Sequence, residues 1–327
     1  MKAIVHSEFG PPDVLALAEL AKPTPNASEV LVRVRAAAAN PLDWHFIRGE
    51  PGIMRWMGRP KNRIPGADFA GEIESVGTSV TEFRAGDQVF GTAHGTFAEY
   101  VCASAENIAR KPSALTHEQA AAIPVAGCTA LIALRDKGSL RPGQAVLING
   151  AAGGIGTFAV QIAKALGANV TGVCSTRNLE LVRSLGADHV IDYTAEDFAS
   201  GARQYDLVLH VAGNRSLNDH RRAVAPDGTL VLVGGGIGRD TGGNQTLNTL
   251  RTLALVTARS LFARFLRQRI RMFVAKANRS DLELLAQLCE TGKVRPVVGH
   301  SYPLAQAAEA VRCIEAGHPR GKVIVTP

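Results

Sequence analysis

The chain is poor in large aromatic rings: two tryptophans and four tyrosines among 327 residues give it no run of rings on which the bases of a single nucleic-acid strand would stack. Cysteine is scarce as well. The five cysteines, Cys102, Cys128, Cys174, Cys289 and Cys313, stand far apart without a C-x-x-C pair. That removes the usual signature of a structural zinc or a redox dithiol and leaves reduced, buried thiols as the expectation. A secretory leader is missing too: "MKAIVHSEFG" carries one lysine and a short apolar patch before His6 and Ser7, so the expected location is cytoplasmic. The charge balance is only mildly one-sided. A formal net charge of +7 comes from 36 basic and 29 acidic residues, spread along the chain except for an arginine-dense segment from Arg251 to Arg271. No nucleic-acid stripe is expected; attraction to an anionic cofactor accounts for the excess. With 46% hydrophobic and 20% charged residues, the composition is that of a globular protein large enough for two domains.

One stretch does resemble a long apolar run, since Ala145 to Ala163 carries no formal charge. Asn149 and four glycines interrupt it and the helix that follows is amphipathic, so no membrane span is expected. The pattern is instead a strand, Ala145 to Ile148, running into Gly150, Gly153, Gly154 and Gly156. Beyond them Ile155, Phe158, Ala159, Ile162 and Leu166 recur at helical spacing, and Gly167 closes the helix. Glycines at a strand-to-helix turn let the backbone approach a pyrophosphate, whose charge meets N–H groups at the positive end of the helix. Gly150, Ala152, Gly153, Gly154, Ile155 and Gly156 are therefore the expected cofactor-binding backbone. The strand before, the helix after and a second strand at the right distance supply the context that this motif needs.

Upstream, Met1 to about Arg110 reads as short strands punctuated by Pro and Gly, with "VLVRVRAAA" and "FAGEIESVG" alternating and "GTFAEYVCA" following a glycine turn. "THEQAAAIPVAGCTALIAL" reads as helix, break, helix. From Ala145 the spacing becomes that of βαβ units, with further strands at Asn169 to Val173, His189 to Ile191, Leu207 to Val211 and Thr229 to Val233. After Asp281 come a helix in "DLELLAQLCETG", a second in "AQAAEAVRCIEAGH" and a closing strand, "GKVIVTP".

The choice of dinucleotide falls at the end of the second parallel strand, where an NAD site carries an acid for the ribose 2′-hydroxyl. This chain has Cys174-Ser175-Thr176-Arg177-Asn178 there. Hydroxyls and a guanidinium suit a 2′-phosphate, and no carboxylate is present, so NADPH is the expected cofactor, with Ser175 and Arg177 reading it. Arg177 as a solvated helix-start residue is the alternative.

Taken together, "NGAAGGIGTFAVQIAKALGA", "GTFAEYV" and "LGADHVIDY" resemble the medium-chain dehydrogenase/reductase superfamily, in its zinc-independent quinone oxidoreductase branch that includes zeta-crystallin. "QRIRMFVAKANRSDLELL" and "YPLAQAAEAVRCIEAGHPRGKVIV" are similar to the reticulon-interacting oxidoreductases. The resemblance spans essentially the whole chain. It implies an α/β fold: a GroES-like β-rich catalytic domain, 1–122 and 295–327, and a Rossmann doubly wound parallel-sheet cofactor domain, 123–294. The zinc branch places a cysteine just after the strand "VRVRAAA" and a His-Glu pair in a segment like "IPGADFAG". Here Ala39-Asn40 and Ala67-Asp68 stand there, which leaves Cys128, near a third ligand position, without the companion ligands of the zinc pattern, so no metal is expected.

Without a metal, nothing obvious lowers an alcohol's pKa or stabilises an alkoxide, whereas an enone or quinone spreads the charge delivered by hydride into an enolate or phenolate. The expected reaction is NADPH-dependent reduction of quinones or α,β-unsaturated carbonyl compounds. A carbonyl or alcohol dehydrogenase using Asn40, Asp43 or His45 as a polar relay, and a non-catalytic NADPH-binding protein, are the alternatives. The resemblance puts Asn40 beside the nicotinamide, with Asp43, Trp44 and His45 near; Asn40-Pro41 also makes a good helix start, so Asn40 is a cap, a substrate contact or both. It carries over Thr129 at the nicotinamide ribose and Tyr193 at the adenosine phosphate. Ala212, Gly213 and Asn214, and Gly234, Gly235 and Gly236, follow the fourth and fifth strands, where open α/β sheets bind ligands. His210 is a proton donor or, more simply, a satisfied core histidine; His94 and Asp68 are weaker candidates. The segment from Asp240 to Phe273 covers the active site, lies on a membrane surface or makes a subunit contact. "IRMFVA" is a candidate edge for a homodimer of the kind that relatives form.

Overall fold

A computed structural model describes residues 1–50, 60, 63–200, 203–212, 216–233, 267–317 and 319–327. In the first stretch the strands are β1 (Lys2–Val5), β2 (Ala16–Glu19), β3 (Glu29–Ala39), β4 (Asp68–Val76), β5 (Gln88–Thr92), β6 (Tyr100–Ser104) and β7 (Ile108–Arg110). The helices are α1 (Pro41–Arg48), α2 (His117–Ala121) and α3 (Pro124–Ile132). Next come β8 (Ala145–Asn149), α4 (Gly154–Ala165), β9 (Asn169–Cys174), α5 (Leu179–Ser184), β10 (His189–Asp192), β11 (Tyr205–His210), α6 (Leu217–Ala223), β12 (Val224–Val233) and β13 (Arg269–Phe273). The chain closes with α7 (Arg279–Glu290), β14 (Val298–Pro303), α8 (Ala307–Glu315) and β15 (Lys322–Thr326).

Two compact units result: residues 1–128 with 276–327, and residues 129–275. These limits differ from the sequence-based ones of 122/123 and 294/295, and Arg279 shows why at the second. Its guanidinium donates to the Ala105 carbonyl from Nε at 3.1 Å and pairs with Glu82 at 2.9 Å, so α7 is tied to the first unit. The first division falls inside α3, between Cys128 and Thr129.

In the first unit the main sheet runs β14-β15-β3-β4-β5-β7, with β6 also paired to β3. Strand β3 alternates as its sequence does, and Val30, Val32 and Val34 point into a core that includes Phe69, Ile73, Phe97 and Ile108. The last strand, β15, pairs antiparallel with β3 and sets Val323 opposite Ala39. That register brings Lys322 to the end of β3, almost the whole chain away in sequence.

In the second unit the order is β10-β9-β8-β11-β12-β13, every pair parallel. Counted from β8, this is 3-2-1-4-5-6, the doubly wound order whose switch point lies between β8 and β11. Both strands are buried hydrophobic runs, as a sheet covered on two faces requires. The strand expected from Thr229 starts at Val224 instead. Pro226-Asp227-Gly228, which reads as a turn, sits in β12 opposite a register shift between Tyr205 and Leu207, and such an irregularity absorbs residues that the ladder does not pair. None of the five cysteines is in a disulfide, and three of them are buried. Among the described residues no helix is long and apolar enough to cross a membrane.

Candidate active site

In the first unit, the ends of β3, β4 and β15 meet at a buried polar cluster. Asn40 has the extended backbone of a helix N-cap, with Pro41 in the first helical position. The Asp43 carboxylate accepts the Asn40 N–H at 2.7 Å, and the Asp43 N–H goes to the Asn40 backbone carbonyl at 3.0 Å. The Asn40 amide also reaches across the cluster. Its Nδ2 donates to the Asp68 carboxylate at 3.0 Å and to the Ala38 carbonyl at 3.2 Å, and its Oδ1 accepts from Lys322 Nζ at 2.6 Å. Lys322 also donates to Asp68 at 3.1 Å, and the other Asp68 oxygen accepts the Val125 N–H at 2.9 Å. Both Asn40 amide hydrogens are thus committed to the chain. Asn40 and Asp43 form a reciprocal box at the start of α1, and the same amide is held by Lys322 and Asp68, its charged partners.

Asp43 is buried against this cluster, and burial, with the charge of Asp68 nearby, pushes its carboxyl up to about 7, while the Asn40 and Gly66 N–H groups and Lys322 pull the other way. Trp44 is buried and stacks on half-buried His45, ring centroids 3.7 Å apart; His45 also faces Glu50 at 3.4 Å. His94 is exposed.

In the second unit, Gly153 is the N-cap of α4 and Gly150 has φ +94°. A Cβ on Gly156 would overlap the Gly150 carbonyl oxygen, whereas one on Gly153 would meet only that oxygen, at 3.5 Å. The turn is therefore closed on its inner side by Gly156 and left free beside Gly153, the division of labour that a pyrophosphate cradle requires. Ala152 and Ile155 lie on the same turn, and Ala212 beside it: a Cβ on Gly150 would stand 3.1 Å from that of Ala212. These residues fit a dinucleotide. Thr129, 5% exposed, lies on α3. Gly213, Asn214, Gly234, Gly235, Gly236 and the arginines from Arg251 to Arg264 fall outside the described residues; Arg269 and Arg271 lie on β13, the outer strand of the sheet.

His210, 3% exposed at the end of β11, accepts through Nδ1 from Asn149 Nδ2 at 3.1 Å. His220 Nδ1 donates to the Ser216 carbonyl at 2.7 Å, which leaves its Nε2 to accept from the same Asn149 amide at 3.3 Å. Burial, with His220 close by, pushes the His210 imidazole down to about 3. The ring is thus held neutral in a buried hydrogen-bond network, which accords with a core histidine.

The turn after β9 holds Ser175 and Arg177, the latter exposed. Tyr193 donates its N–H to the Cys174 carbonyl at 3.1 Å, and its ring packs against the core of this unit. Residues 174–178 contain no acid, yet the neighbouring strand delivers one: Asp192 stands opposite Cys174 and bonds Thr176. The sequence signal for it was "LGADHVIDY" beside a parallel strand; the signal for Lys322 was an unmatched acid at Asp68.

Residues 26–113 match the alcohol dehydrogenase GroES-like domain and residues 185–325 the zinc-binding dehydrogenase family. The chloroplast envelope quinone oxidoreductase homolog of Arabidopsis thaliana is 33% identical over 318 residues, 93% of this chain and 92% of that one. The mitochondrial NAD(P)H oxidoreductase RTN4IP1 of Mus musculus is 35% identical, over 91% of this chain and 81% of its own. The structure of the quinone oxidoreductase from Coxiella burnetii superposes with a TM-score of 0.86 at 31% identity, covering 100% of this chain and 99% of that one. The chain belongs to the medium-chain dehydrogenase/reductase superfamily. It is an oxidoreductase.

The second matching family is named for zinc, so the donor set is the test. Asn40 and Asp68, from the two places where the resemblance sets the zinc branch's cysteine and His-Glu pair, both bind the ammonium of Lys322. A divalent cation there would lie against a fixed positive charge, with an amide in place of a thiolate. These residues do not fit zinc.

Proposed function

We propose that the chain is a zinc-independent, NADPH-dependent reductase of quinones or α,β-unsaturated carbonyl compounds that works by direct hydride transfer. The observation that carries this reading is Lys322 Nζ, 2.6 Å from Asn40 Oδ1 and 3.1 Å from Asp68. With that ammonium at the ligand positions, and its charge spent on Asp68, no Lewis acid is available to an alkoxide, and the acceptor must disperse the charge through its own conjugation. A reduced nicotinamide, when bound, supplies the hydride. The backbone of Gly150 to Gly156 and the N-terminus of α4 would hold its pyrophosphate, Ala212 and Thr129 would flank the ribose and ring, and Tyr193 would meet the adenosine phosphate. Ser175 and Arg177 favour a 2′-phosphate over a hydroxyl. The names of the relatives, quinone and NAD(P)H oxidoreductases, support the same class.

The test follows the loss of NADPH absorbance with 9,10-phenanthrenequinone, an enone and an aldehyde in parallel, each repeated with NADH. Turnover of the quinone or the enone, faster with NADPH, is expected. Turnover of the aldehyde alone, persisting after chelation, would replace this reading with a carbonyl reductase, and tight NADPH binding without turnover would replace it with a binding protein. Arg177→Ala is expected to lower the preference for NADPH; unchanged discrimination would reject the assignment of Arg177.

A further inference from the structure

Asp192 closes β10, in register with Cys174 at the end of β9. Its carboxylate is held from three directions. Thr176 Oγ1 donates to one oxygen at 2.6 Å, and the Thr194 hydroxyl and backbone N–H donate to the other at 2.7 and 3.0 Å. Those donors favour the charged form and hold the group below the usual carboxylate range. Among the described residues no lysine or arginine pairs with it, so hydroxyls rather than a cation occupy its lone pairs. Thr176 belongs to the turn that follows β9, the same turn that presents Ser175 and Arg177. On its other side Asn178 Nδ2 donates to Ser175 Oγ at 3.2 Å, which leaves the Ser175 hydroxyl hydrogen to be given outward. One turn therefore offers donors to a phosphate and keeps its acid bound to its own threonines.

We infer that Asp192 is a specificity-determining residue of the cofactor site, masked by Thr176 and Thr194. The inference rests on the dinucleotide reading above. A free carboxylate at this turn accepts a ribose 2′-hydroxyl and repels a 2′-phosphate. A carboxylate that already accepts from the Thr176 hydroxyl and from the hydroxyl and N–H of Thr194 has most of its acceptor positions taken, so it offers little to a 2′-hydroxyl, and Ser175 and Arg177 set the preference. Thr176 is the switch between these states, because its hydroxyl is the side-chain donor through which the turn after β9 holds Asp192.

The experiment measures dissociation constants for NADPH and NADH by calorimetry on the parent protein, Thr176→Val, Thr194→Val, Asp192→Asn and the pair Thr176→Val with Asp192→Asn, each checked for fold by far-ultraviolet circular dichroism. The NADPH-over-NADH preference is expected to fall about ten-fold in Thr176→Val, the order of one hydrogen bond to a charged group, which the freed oxygen can then make to the NADH ribose, and to fall in Thr194→Val as well. In the Asp192→Asn background the Thr176→Val change should leave the ratio within about two-fold, because the carboxylate oxygen that Thr176 occupies is gone. An unchanged ratio in Thr176→Val, or the same fall in both backgrounds, overturns the masking of Asp192 and leaves the dinucleotide reading standing. A parent protein that binds neither nucleotide overturns both.

Discussion

Lys322 and Asp68 form an ion pair of 3.1 Å with side chains only 4% and 0% exposed. Two charges so enclosed gain little net stability from each other, but removing one leaves the other buried and unpaired, at a cost of about 3–5 kcal/mol. Lys322→Met is expected to lower unfolding stability by that order and Asp68→Asn to lower it less, since an amide keeps one acceptor. The two changes together should cost less than their sum, because they share one interaction. Urea unfolding of the four proteins checks this, and additive losses would show that the pair is not coupled. Adding zinc to the parent protein should leave its unfolding midpoint in place.

His210 sets an acid limit on the second unit. Its imidazole lies well below the ordinary 6.5, at about 3, so the unfolded chain takes up a proton that the folded chain refuses. The contribution is complete above pH 6.5 and is lost as pH falls toward 3, at about 1.4 kcal/mol per pH unit. His210→Gln, which can still accept from Asn149, should remove that slope. Stability measured from pH 7 down to pH 5 should therefore converge between the variant and the parent, and parallel curves would contradict it.

Asp43 works in the opposite direction. Its carboxyl is raised from 3.8 to about 7, so the folded protein holds a proton that the unfolded chain releases. The associated stability is complete below pH 3.8 and is lost as pH rises through 7, again with a slope of about 1.4 kcal/mol per unit at most. Relative to Asp43→Asn, the parent should lose stability between pH 4 and pH 7 and run level above it. A parent curve that gains on the variant over this range would refute the raised value.

The order of elements was legible because its signals are local. Alternation in "VLVRVRAAA", the glycine turn after Ile148 and the helix spacing of "DLELLAQLCETG" each lie within one window of the sequence. What was not legible depends on register across distance. Lys322 reaches Asn40 only because β15 pairs antiparallel with β3, and Asp192 reaches Thr176 only because β10 lies beside β9. A local reading of Asn40 as cap, substrate contact or both has no view of Lys322, which stands at the other end of the chain. It likewise read the end of β9 as free of acid, which is true along the chain and untrue across the sheet.

Gly153 and Gly156 differ in what a methyl group would meet, and that difference separates folding from cofactor binding. At Gly156 the added carbon overlaps the backbone of Gly150 and Ala151, so Gly156→Ala should cost about 1–3 kcal/mol as the turn is forced open. At Gly153, with φ −79° and nothing nearer than 3.5 Å, alanine fits the backbone and stability should stay within about 0.5 kcal/mol of the parent. The new methyl, however, stands on the open side of the turn, where a pyrophosphate must come within hydrogen-bond distance of the backbone. Gly153→Ala is therefore expected to unfold like the parent and to bind NADPH far more weakly, as read by thermal unfolding with and without the nucleotide. If NADPH stabilises Gly153→Ala as much as it stabilises the parent, this turn is not where the pyrophosphate binds.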